Sequence, residues 1–152
     1  MDGGDERRRG GVFWALQIPG WFLFLYLAIA QGIPAVDYDL GVAMGTQEPA
    51  SRITEVGVAF FVGFAVGDVL FYIPLLLLGL IAHLRGAPWW RGVMAAALGI
   101  TVYWPIVCLV TVLDASGAPG WELPGEAAYW VVLPLIAAWG LWGLVAVCRR
   151  TD

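Results

Sequence analysis

A chain of 152 residues that is 61% hydrophobic and 13% charged carries more apolar surface than a water-soluble core can hide, since soluble domains run at roughly 45–50% apolar. The net charge of −4, with all eight basic residues being Arg, lacks the clustered basic surface of a nucleic-acid binder, and the Arg-only usage points to a GC-rich, bacterial source. Two Cys and one His leave no ligand set for zinc, an iron–sulfur cluster or a two-His haem, so no metal or cofactor is expected.

The chain reads as a single all-α membrane domain, 1–152, with four spans and both termini in the cytoplasm. Residues 1–11 are Gly-rich and polar and predict a disordered tail ending in the Arg7-Arg8-Arg9 cluster. The first span covers 12–31, with Trp14 and Tyr26 near its two ends, where amphipathic rings settle. Ala28-Ile29-Ala30 resembles a signal-peptide cleavage site, but the length of the apolar run and Pro19 inside it favour a retained span. An outer loop over 32–54, rich in Gly, Pro and carboxylates, has room for one short turn around Leu40 to Met44.

Residues 55–84 form the longest apolar run, more than the ~20 residues a crossing helix needs, interrupted only by Asp68. Ser51 is the expected N-cap, with Glu55 in the first turn where negative charge suits the helix dipole. Arg85-Gly86-Ala87-Pro88 should end that helix, and the inner loop 85–92 closes on Trp89-Trp90-Arg91. The third span runs 93–113, a second outer loop 114–126 carries Trp121 as an interfacial ring, and the fourth span runs 127–148. Seven of the eight Arg fall in the tails or the 85–92 turn and only Arg52 in an outer loop, which predicts an up-down-up-down bundle in the cell (inner) membrane.

Asp68 is the strongest chemical signal. Insertion scales charge about 2.5–3.5 kcal/mol for an Asp at the centre of a span, so it should face the bundle interior. Arg52 lies 16 residues away, roughly 24 Å along a helix, and without a counter-charge Asp68 is expected to hold its proton at neutral pH. Counting depth from the span ends brings Gln17, the Thr101 to Trp104 turn and Trp139 to Trp142 to a similar level. On the third span Thr101, Trp104, Cys108 and Thr111 share one stripe, and on the second Phe61, Phe64, Asp68, Tyr72 and Leu75 share another. The candidate ligand- or proton-binding set is therefore Asp68, Tyr72, Thr101, Trp104 and Gln17, with no catalytic residue.

Each span holds one proline, Pro19, Pro74, Pro105 and Pro134, which frees the carbonyl four residues earlier and kinks the helix. Ala59, Gly63 and Gly67 repeat at i+4, Ala137, Gly140 and Gly143 form a similar small-residue row, and both sets are expected to let neighbouring helices of the same chain approach closely. Cys108 and Cys148 lie at different depths and are not expected to pair. His83, with no second His or acid near it, reads as an interfacial polar group, and the outer carboxylates, including Asp37 and Asp39, as a solvated acidic loop.

Three functions compete. The first is a non-enzymatic binding or transport protein for a small ligand, a proton or a cation, centred on Asp68. The second is an accessory or scaffold subunit in which Asp68 meets a cation on a partner protein, or on a second copy. The third, a membrane enzyme acting on lipid or quinone, is weakest, because nothing supplies a nucleophile with its base, a metal set or a phosphate-binding loop. Beyond the lipid bilayer itself no partner is specified.

Overall fold

Four stretches, Gly11–Val36, Ala50–Arg85, Trp90–Ala115 and Ala127–Arg149, are long and apolar enough to cross a membrane. The computed structural model describes residues 10–123 and 126–149; most of the expected tail, with Arg7, Arg8 and Arg9, and Arg150 at the other terminus, lie outside the described residues. All regular structure among the described residues is helical. In chain order the elements are α1 (Gly11–Ala30), α2 (Gly32–Val36), α3 (Tyr38–Ala43), α4 (Ala50–Gly67), a π-helical turn (Asp68–Tyr72), α5 (Ile73–Arg85), α6 (Trp90–Ala115) and α7 (Glu126–Arg149).

The expected first, third and fourth spans lie inside α1, α6 and α7 to within a residue. The 32–54 segment differs: where one turn was expected it forms the two short helices α2 and α3. Their cause is local. Asp37 adopts an extended backbone and its carboxylate accepts the Leu40 N–H at 3.0 Å, an N-cap that starts α3 at once. The Tyr38 hydroxyl then donates to the Glu48 carbonyl at 2.9 Å. Burial, and then the nearby Glu48 charge, push that hydroxyl up to about 12, so it remains a donor throughout the neutral range.

The second span also begins differently. Its helix starts at Ala50 and bends at Thr54, whose φ of 68° and ψ of 164° are not helical. The Thr54 hydroxyl accepts the Gly57 N–H at 3.3 Å, so Thr54, not Ser51, caps the long part of the helix, and Glu55 stands in its first turn. The bend is held from outside: the Glu122 N–H donates to the Arg52 carbonyl, and the fully buried Ile53 and the Trp121 ring both border Gly57. At the other end Gly86 adopts the left-handed conformation and the Ala87 N–H returns to Ala82 O at 2.9 Å. This closes the helix in a Schellman-type cap before Pro88, as the Arg85–Pro88 segment predicts.

The helices pack in sequence, α1 on α5, α5 on α6 and α6 on α7. Gly20 meets Leu80 and Gln17 meets His83; Gly79 meets Met94 and Tyr72 meets Thr101; Gly140 meets Thr101 and Gly143 meets Leu98. Each pair therefore runs in antiparallel register. One core, built from Leu16, Leu23, Leu27, Leu76, Leu80, Leu98 and their neighbours, fills the half nearer the Arg85 end. A smaller one of Trp104, Cys108 and Leu133 lies toward the far end. Around them large apolar side chains point outward, Phe22 at 71% exposure and Leu135 at 66% among them, the pattern of helices that are apolar all round.

The two stripes of small residues behave differently. A Cβ at Gly140 would lie 2.9 Å from Thr101 Cγ2 and one at Gly143 would lie 3.0 Å from Leu16 Cδ2, so these glycines set the approach of α7. At Gly63 and Gly67 nothing lies within 4 Å, and Ala59, Gly63 and Gly67 are all exposed. Among the described residues, the expected packing of that stripe against this chain's own helices is not found. Gly140→Val is accordingly expected to lower unfolding free energy by about 1–3 kcal/mol through overpacking, whereas Gly63→Ala should be neutral or stabilise by up to about 1 kcal/mol through helix propensity. Equilibrium unfolding in detergent measures both.

Candidate functional site

Asp68 sits at the middle of the 36-residue helical stretch Ala50–Arg85, 18 residues from one end and 17 from the other. Counted from the bend at Thr54 it is 14 residues in, with 17 more to Arg85. The π-helical turn begins at Asp68 itself, with the Ile73 N–H reaching back to the Asp68 carbonyl. It falls just where the Pro74 ring would crowd the Leu70 carbonyl in a regular helix, and widened turns of this kind recur at functional sites. The residue is only 5% exposed, yet its Oδ2 has no hydrogen-bond partner among the described residues. Buried polar atoms are nearly always paired, so an orphan at mid-depth asks for an explanation.

Beside Asp68 a cleft of about 510 Å³ opens between the second span and α6. Phe60, Phe64, Phe71, Tyr72, Tyr103 and Trp104 supply its aromatic walls, and Ala59, Gly63 and Gly67 leave the space between them. Tyr72 is buried and its hydroxyl shares a 2.7 Å hydrogen bond with Thr101 Oγ1, which in turn donates to the Ala97 carbonyl at 2.9 Å. This pair is complete without Asp68. It anchors the floor of the cleft to α6, while Asp68 one turn away is left with unused acceptor capacity.

Of the candidate residues, Asp68, Tyr72 and Trp104 line this cleft, and Thr101 holds Tyr72 from behind. Gln17 is elsewhere. Its side-chain amide nitrogen donates to the Leu80 carbonyl at 3.1 Å and lies 3.0 Å from His83 Nδ1, and its oxygen accepts the Trp21 indole N–H at 2.9 Å. Leu80 is 12 residues beyond Asp68, roughly 18 Å along a helix, so Gln17 belongs to a separate polar cluster near the Arg85 end. Counting depth from expected span ends misplaced it, because α1 meets α5 beyond the π turn and not at Asp68.

His83, read from the sequence as an interfacial polar group, is enclosed by neighbouring side chains. It is 7% exposed, stacked on Trp90 at 4.2 Å and set against Phe13 at 4.7 Å. One carbonyl released by a proline finds a partner in tertiary contact: the Ala15 carbonyl, four residues before Pro19, accepts the Trp139 indole N–H at 2.9 Å. The aromatic walls Phe60, Phe71 and Tyr103 were missed by sequence reasoning. Their signal was the small-residue stripe, whose openness marks the cleft.

Among the described residues no group of three or more His, Cys, Asp or Glu is placed to hold a metal ion, and Cys108 and Cys148 are free thiols. The fold and composition thus define a helical protein with four helices long and apolar enough to span a bilayer, carrying a buried, unpaired carboxyl oxygen on the second of them. Comparison with models of protein families, with curated proteins and with solved structures finds no match.

Proposed function

We propose that the chain is a non-enzymatic membrane protein that binds a small ligand, a proton or a cation at Asp68, in a binding or transport role. The observation that carries this reading is the orphaned Asp68 Oδ2 at the edge of an aromatic cleft. A carboxyl kept only to fix helix register would be expected to spend its hydrogen bonds on a neighbouring helix. Here Tyr72 and Thr101 satisfy each other, and the acid is held in reserve. With the positive-inside rule the Arg85–Arg91 turn faces the cytoplasm, as do both termini, in the inner membrane of a bacterium.

Infrared spectroscopy of the full chain in lipid, from about pH 5 to 9, tests the reading, with Asp68→Asn assigning the carboxyl band. The expected result is a band that changes with pH or on addition of a cation. A band unchanged under all these conditions makes Asp68 a structural neutral acid and removes the proposal's anchor.

The exposed Ala59, Gly63 and Gly67 stripe supports a second reading, an accessory subunit whose Asp68 meets a cation on a partner span. A stoichiometric partner that survives mild detergent extraction, and is lost with Asp68→Asn, would favour it.

A further inference from the structure

We infer that the cleft beside Asp68 takes an amphipathic organic cation, a positively charged centre on an apolar body, admitted sideways from the bilayer. This rests on the reading of Asp68 as a ligand site and specifies the ligand's class.

The charge follows from what surrounds the acid. Asp68 Oδ2 is buried and unpartnered; Arg85 is 17 residues further along the helix, roughly 26 Å, and Arg52 lies beyond the bend at Thr54 and is paired with Glu48 at 3.1 Å. A neutral lipophile would fill the space and leave that oxygen unmatched, whereas a cation supplies what the acceptor lacks. Phe64, Tyr72 and Trp104 line the same wall, and an aromatic ring that meets a desolvated cation with its face attracts it through the negative quadrupole.

The size excludes smaller occupants. A bare proton needs no cavity, and a metal ion needs several oxygen or nitrogen ligands, whereas Asp68 is the one carboxylate among the cleft's walls. A volume of about 510 Å³ lies within the roughly 300–1,000 Å³ range of small-molecule sites. A partner helix laid along Ala59–Phe71 would be about 18 Å long and at least 10 Å across, far larger than the cleft, so only its side chains would enter.

The route follows from where the opening lies. Phe71 and Tyr103 at the rim are 67% and 64% exposed, and a Cβ at Gly63 or Gly67 would meet nothing within 4 Å. The mouth is therefore on the flank of the second span near its midpoint, at the level of hydrocarbon and not of water. A ligand arriving there must partition into lipid first, which its apolar body permits and which a hydrophilic cation would not do.

The test uses the full chain in nanodiscs of zwitterionic phosphatidylcholine, with tetraphenylphosphonium and tetraphenylborate as probes of matched shape and opposite charge. Empty discs correct for partitioning. Saturable binding of the phosphonium is expected, with no saturable binding of the borate. Asp68→Asn should weaken it about tenfold or more, the effect of removing one partner of a buried ion pair. Gly63→Leu, which fills the cleft where there is room for a side chain, should abolish it while the protein remains folded and its Asp68 infrared band still responds to pH. Equal binding of both probes, or undiminished phosphonium binding by either variant, overturns the inference. If the phosphonium fails to bind while the Asp68 band responds to pH or to an inorganic cation, the organic-cation class is rejected and the ligand-site reading survives. If neither responds, both fall.

Discussion

Replacing Asp68 by Leu is expected to raise the unfolding free energy of the isolated protein by about 2–3 kcal/mol, the scale on which a mid-span carboxyl costs more than an aliphatic side chain. A stabilising core substitution is uncommon, because most single changes destabilise, and this one follows from a particular atom. Asp68 is buried, its Oδ2 has no partner, and the nearest polar pair, Tyr72 with Thr101, is complete at 2.7 Å without it. Removing the carboxyl therefore breaks no bond to that oxygen, and the added methyl groups find space in the adjoining cleft. Proteins keep such costly groups where function needs them. Unfolding by a denaturing detergent in mixed micelles gives the measurement. A loss of comparable size would mean that the carboxyl ties the second span to a neighbour, and that its role is structural.

The opposite sign is expected at Gln17. Gln17→Leu should lower unfolding free energy by about 2–4 kcal/mol, since an orphaned buried polar group costs about 1–3 kcal/mol and several are affected together. The amide bridges α1 to α5 through the Leu80 carbonyl and His83 Nδ1, and it also receives the Trp21 indole N–H. Leu matches the volume but none of these bonds. The His83 ring lies between Trp90, on which it stacks, and Phe13, to which it is tilted. The same variant should leave phosphonium binding unchanged, because its cluster lies about 18 Å from Asp68 along the helix. A shift in that binding would show that the two polar centres communicate, and a stability change below about 0.5 kcal/mol would show that water replaces the amide.

The helical spans were legible because their signal is redundant. Twenty or more apolar residues between Gly, Pro and Arg punctuation leave little choice of structure in lipid, where every backbone group must be satisfied within its own helix. Asp68 was legible for a related reason: a lone carboxylate between Val56 and Leu84 is conspicuous by type alone. Its partnership with Trp104 in one cleft, and the hydrogen bond from Tyr72 to Thr101, followed from stripes read at helical spacing. The second-span stripe held only in part: Phe64, Asp68 and Tyr72 line the cleft, whereas Phe61 lines a different cavity with Tyr26 and Tyr129.

The errors cluster where one residue could be used in two ways. Ser51 and Thr54 are both capping residues, and the choice fell to Thr54 because the Glu122 N–H and buried Ile53 hold the preceding turn out of line. Ala59, Gly63 and Gly67 have the spacing of a packed groove, but no helix among the described residues covers them. Gln17 was placed by depth, and depth says nothing about azimuth or about where a π turn rotates the helix beyond it.

The sequence by itself determined that this chain is made of long apolar helices, where they begin and end to within a few residues, and that one acid stands at their middle. These are properties of hydrophobicity along the chain, and they need no knowledge of neighbours. Only the tertiary structure decided which small-residue stripe is packed and which is open, that Trp139 answers the carbonyl freed by Pro19, and that Asp68 is left unpaired beside a cleft. Such outcomes depend on how helices meet across space, where a rotation of part of a turn decides whether a carboxyl oxygen finds a hydroxyl or is left without one.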